Sequence, residues 1–216
     1  GYGGVLKNLG MGSGSKKGKM EMHSAGTPLI NTDACVGCGM CEKHCANDGV
    51  HVIDHKAVID EDKCVGCGNC FAYCPKDAIS CKWDEAIPVF NMKLAEYAKH
   101  AAAITVVIIE IINKKIIGLA IDVQPNCDCN GGHDAQMVPD IGMFASFDPV
   151  SLDQATVDAI NKAPVMPRYH DKESTNCHGN HDVFYMAHPD TDWDVALDHA
   201  EKLGIGERKY ELIPVK

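Results

Sequence analysis

Eight cysteines stand in two runs of one spacing, Cys35-x2-Cys38-x2-Cys41-x3-Cys45 and Cys64-x2-Cys67-x2-Cys70-x3-Cys74, displaced by 29 residues. Such a run constrains the chain more than any other feature here. Gaps of two residues force a short loop to curl around one soft, thiophilic centre, and the fourth cysteine falls on the following helical turn, where it reaches the other centre. The spacing predicts two [4Fe–4S] clusters, one on Cys35, Cys38, Cys41 and Cys74, the other on Cys64, Cys67, Cys70 and Cys45. Zinc and disulfides are the alternatives. Zinc prefers two separated CxxC pairs, and disulfides suit small secreted scaffolds, so the doubled register favours clusters. Pro75 closes the second run as the bacterial pattern does, whereas Ala46 takes that place in the first. Gly37, Gly39, Gly66 and Gly68 sit where the backbone must turn tightly beside a cluster.

The surroundings repeat as well. Val50, Val52 and Ile53 follow the first run, Ala57 to Ile59 precede the second, and Ala78-Ile79 come after it. Short β-branched stretches flanking each cysteine loop predict a two-cluster ferredoxin domain over residues 29–82. The chain has 216 residues, which leaves room for a second core. With 20 basic and 30 acidic residues its net charge is −10, which argues against nucleic acid or an anionic membrane as partner and favours a basic redox protein. Of twelve cysteines, eight have ligand spacing, so a reducing cytoplasm is expected. The apolar stretch 101–121 is broken by Glu110, Asn113, Lys114 and Lys115 and predicts no membrane span.

Residues 1–24 contain seven glycines and four lysines and no signal-peptide core. They suggest a loosely packed connector, with phosphate binding by backbone amides at 10–19 as the sharper alternative. Downstream, helical spacing predicts helices over 91–103 (Met92, Ala95, Ala98 and Ala102 on one side), from a Ser151-x-x-Gln154 capping box onward, and over 192–203 with Trp193, Ala196, Leu197 and Ala200 inward. A buried strand is expected over 116–123. Helices alternating with strands point to an α/β layer.

Several motifs occur in one order: Gly3-Gly4-x-x-Lys7-Asn8-x-Gly10-Met11-Gly12, Lys19, Met22-His23, the cysteine runs, Cys127-Asp128-Cys129, Asp140-Ile141-Gly142, Ser146-x-Asp148-Pro149-Val150-x-x-Asp153 and Leu203-Gly204-x-Gly206-x-x-x-Tyr210-x-Leu212. On these the chain resembles the DUF362 family of Fe–S centre proteins almost end to end. The resemblance implies an α+β protein in which a ferredoxin-like module is inserted in a larger α/β domain. Segments 1–28 and 83–216 would then belong to that domain, which looks truncated at its N-terminus. Its missing portion, or another subunit, is an expected partner.

Outside the runs, Cys127-x-Cys129 with His133 and Asp134 reads either as an extra metal or dithiol site or as two buried structural thiols, and the residues leave both open. Asp140, Asp148 and Asp153 are read as turn and helix-start residues, with a cation or proton site as the alternative. His170, Cys177, His178 and His181 form a Cys-His-x-x-His cluster in a polar loop, and Cys81 reads as a spare buried thiol. The expected function is electron transfer as the redox module of an oxidoreductase; a metal-binding structural or assembly factor is the alternative. No catalytic residue is assigned.

Overall fold

The computed structural model describes residues 4–24, 26–109, 116–126, 134–169 and 181–215, with backbone alone for 102–109. In chain order the elements are α1 (Val5–Lys7), running into a π-helical turn (Asn8–Gly12), α2 (Lys16–His23), β1 (Leu29–Ile30), α3 (Met40–Lys43), β2 (Val50–Ile53), β3 (Lys56–Ile59), α4 (Asn69–Tyr73), β4 (Ile79–Ser80), α5 (Ile87–Ile109), β5 (Ile116–Ala120), β6 (Gly142–Ser146), α6 (Pro149–Lys162), a 3-10 turn (Pro167–Tyr169), α7 (Val183–Ala187) and α8 (Asp194–Lys202). This mixture of helices with small antiparallel sheets is α+β. It divides into two compact units, Gly14–Phe90 and Gly1–Ser13 with Asn91–Lys216.

In the unit 14–90, β1 pairs antiparallel with β4, and β2 with β3. The β2–β3 hairpin turns on Asp54 and His55, both at positive φ (47° and 60°), as a two-residue loop that follows strand twist requires. Gly39 and Gly68 stand immediately before α3 and α4, each at φ 74°, a conformation cheap only for glycine. Cys41, Val50, Ala57, Cys70 and Ile79 form one buried cluster between these elements. Helix α2 is capped by the Ser15 hydroxyl, which accepts from the Gly18 amide at 3.1 Å, and it buries Met20 and Met22.

In the other unit, β5 and β6 pair antiparallel from Ile116↔Ser146 to Ala120↔Gly142, and α6 packs on one face of that ribbon. Met137, Val138, Ile160, Tyr169, Val183 and Met186 are buried together. Alternation puts Ile117, Leu119, Ile121, Ile141, Met143 and Phe147 on exposed positions.

Four expectations change. Residues 4–24 are largely helical rather than a loose connector, because Leu6, Gly10, Met20 and Met22 are buried. At Gly10 a Cβ would lie 2.4 Å from the Leu94 carbonyl oxygen, so glycine is needed for the close approach. The cap of α6 is Asp148, not Ser151: its carboxylate accepts from the Val150 and Ser151 amides at 2.8 and 3.0 Å, with Pro149 at the first helical position. The 91–103 face is set by Asn91, Leu94, Ala95 and Ala98, with Met92 half-buried. Among the described residues the second unit's strands form an antiparallel pair, so no parallel α/β layer is seen there. Helix α8 keeps its expected inward residues, with Gly204 at φ 72° just beyond its end.

Candidate metal centre

The two cysteine runs interleave. Cys35, Cys38, Cys41 and Cys74 line one cavity, together with Gly37, Gly39, Pro75 and Ala57. Cys45, Cys64, Cys67 and Cys70 line a second, with Gly49, Gly68 and Pro28. Each run therefore lends its last cysteine to the other's loop, and each cavity is small, about 20 Å³. All eight thiols are unpaired.

Backbone amides point at the sulfurs in the same register twice. The Gly49 amide donates to Cys45 Sγ at 3.1 Å and the Ala78 amide to Cys74 Sγ at 3.3 Å, while the Ala57 amide donates to Cys35 Sγ at 3.3 Å. These donors stabilise negative sulfur. The Ala57 and then the Gly37 amide hold the Cys35 thiol below its ordinary pKa, and Lys56 adds to this against some desolvation. Burial acts the other way at the loop ends: Cys41 is pushed up, and Cys70 to about 11. Metal ligation at these thiols would have to remove those protons, and a bound cation's charge would offset the cost.

Do these residues fit a pair of cubanes? A cubane presents one iron to each of four thiolates at separate corners, so its ligands surround a cavity instead of meeting at a point. The four thiols of each group line one cavity. Glycines admit the close approaches involved: a Cβ on Gly37 would sit 2.4 Å from the His55 carbonyl oxygen, and one on Gly49 would sit 3.0 Å from Cys64 Cα. The soft donor set, the ring arrangement and the amide-to-sulfur bonds all suit the group.

Two contributors escaped the sequence reading. His44 and Tyr73, each immediately before the fourth cysteine of its run, stack at 3.9 Å between centroids with 6° between planes. Asn69 Nδ2 donates to the His44 carbonyl oxygen at 3.1 Å, tying the two loops together. Their equivalence under the 29-residue shift was the available signal. Lys56 was also missed: its ammonium donates to the Thr32 and Cys35 carbonyl oxygens at 2.6 and 2.8 Å.

The other sequence candidates separate. Cys127, Cys129 and His133 lie outside the described residues, as do His170, Cys177 and His178. Asp134 pairs with Arg168 at 3.1 Å, and His181 borders a small polar cavity with Asp158, Asn161 and Asp194. Asp140, Asp148 and Asp153 form no common site. Asp140 accepts from the Asp122 amide, Asp148 caps α6 and accepts from the Glu207 amide, and Asp153 accepts from the Val5 and Leu6 amides. Cys81 is buried, 3.7 Å from the Met20 carbonyl oxygen. A cavity of about 470 Å³ runs beside β5 in the second unit and is bordered by Lys7, Asn8, Gln124 and His188.

Fold and site thus define an α+β chain with two rings of four thiols. Over residues 1–158 it matches the family described as Domain of unknown function (DUF362), and the chain belongs to that family. No curated protein and no solved structure matches it. No described helix is long and apolar enough to cross a membrane.

Proposed function

We propose that this chain is an electron-transfer iron–sulfur protein, the redox module of an oxidoreductase, holding two [4Fe–4S] clusters in a ferredoxin-like module. The observation that carries this reading is the interleaving of the runs: Cys35, Cys38 and Cys41 share a ring with Cys74, and Cys64, Cys67 and Cys70 with Cys45. When bound, such clusters supply reversible one-electron chemistry. The chain's own residues hold them, direct the Gly49, Ala57 and Ala78 amides at ligand sulfur, and set the extent of burial, which are the levers that tune potential. Coordinating thiolates need a reducing compartment, for which we propose the cytoplasm, and the acidic net charge suits a basic redox partner.

Anaerobic reconstitution tests the reading. The expected product is brown, carries about eight iron and eight sulfide per chain by the two-cubane rule, and shows an EPR signal on dithionite reduction. A colourless, zinc-filled protein would end it. Eight irons that resist reduction, with loss of fold on chelation, would turn the assignment to a structural or assembly role.

A further inference from the structure

We infer that electrons enter and leave through the ring of Cys35, Cys38, Cys41 and Cys74, while the ring of Cys64, Cys67, Cys70 and Cys45 is the more covered of the two. This rests on the reading that both rings carry clusters. The 29-residue repeat supplies an internal control, since equivalent positions can be compared within one chain. Gly39 and Gly68 are equivalent and share φ 74°. A Cβ on Gly39 would meet nothing within 4 Å, whereas one on Gly68 would lie 2.9 Å from Met20 Sδ and 3.2 Å from the Lys17 carbonyl oxygen. Gly66 and its equivalent Gly37 are both closely approached, a Cβ there lying 3.0 Å from the Gly26 and 2.4 Å from the His55 carbonyl oxygen, so the asymmetry is confined to the Gly39 and Gly68 end of the loops. Cys38 is exposed, and its equivalent Cys67 is only partly so.

Among the described residues the cover at Gly68 comes from helix α2. Helix α2 lies along α4, with the Lys16 ammonium 4.6 Å from the centre of the Phe71 ring and 3.1 Å from Asp77. Among the described residues no helix packs on α3 as α2 does on α4, and Glu42, in the place of Phe71, is exposed. The first loop is held from its other side by the hairpin turn at His55, which leaves Cys38 facing solvent, whereas the valines before each second cysteine, Val36 and Val65, are both exposed and do not distinguish the loops. Electron transfer weakens steeply with the protein thickness to be crossed, so the open loop is the exchange face. One electron leaves an external one-electron carrier, crosses the loop 35–41 and passes on toward the covered ring. No bond forms or breaks and no proton moves.

Cluster destruction reads this asymmetry without any turnover assay. The reconstituted chain is treated with ferricyanide in the presence of the iron chelator ferrozine, and iron release is followed. Two phases of equal size are expected, differing about tenfold in rate because the clusters differ in solvent exposure. Cys74→Ala should remove the fast phase and Cys45→Ala the slow one. Met20→Ala, which thins the cover without touching a ligand, should speed the slow phase several-fold. A single phase, the opposite assignment, or a slow phase indifferent to Met20→Ala would overturn the inference while leaving the cluster reading intact. A chain that never takes up eight irons would instead overturn the cluster reading.

Discussion

Asp153 is 2 % exposed, and its two oxygens accept from the Val5 and Leu6 amides at 2.6 and 2.8 Å, nearly 150 positions away in sequence. Those amides open α1 and have no carbonyl of their own turn to meet, so the carboxylate serves as their cap. Asp153→Ala should leave buried donors unsatisfied and cost about 1–3 kcal/mol per lost partner, seen as a lower melting temperature by calorimetry. Tyr210 tests the opposite end of the pH scale. Its hydroxyl donates to Asp158 at 2.7 Å, and desolvation, then that bond and the carboxylate's charge, raise its pKa from 10.0 to about 12. A raised folded-state pKa means stability that is fully present below pH about 10 and lost as pH climbs toward about 12. Denaturant melts across that window should show the advantage of the native chain over Tyr210→Phe shrinking as pH rises, and a constant difference would contradict the assignment.

Among the elements, α6 depends on where it begins. Asp148 accepts from two first-turn amides and from the Glu207 amide, so Asp148→Ala should cost about 1–2 kcal/mol in chemical denaturation, the usual worth of a lost cap. By sequence this helix begins at a Ser151 capping box and Asp148 reads as a turn residue, and Pro149, suited to the first helical position, was the signal that places the start three residues earlier. Gln154 turns away from the helix start, donating to Asp158 at 2.9 Å and accepting from Arg208 Nε at 2.7 Å. Helix faces such as that of α8 were legible because their burial repeats with the helical period. The helices of residues 4–24 were not, since seven glycines in 1–24 lower intrinsic preference, and only burial of Leu6, Met20 and Met22 against distant residues overrides it. Likewise, the grouping of the eight thiols follows from local spacing, whereas the unequal cover of the two loops depends on Met20, far from either run, and no local pattern encodes it.

At the scale of the whole molecule, exchanging the last cysteine of each run makes the two halves of unit 14–90 mutually dependent. On the proposed cluster reading, Cys45→Ala should damage the cluster bordered by Cys64, Cys67 and Cys70, and Cys74→Ala the one bordered by Cys35, Cys38 and Cys41, as read by the EPR signals of the two single variants. Damage confined to each mutation's own run would show the rings to be uncrossed. The same exchange sets a schedule for biosynthesis. Cys35, Cys38 and Cys41 leave the ribosome first, yet their fourth partner arrives only with Cys74, after every residue of the second loop has been made. Neither ring can close on a nascent chain halted between the runs, so three thiols stand open to oxidation and to stray metal until translation has passed Cys74, and a cell that makes this protein has reason to keep that interval short.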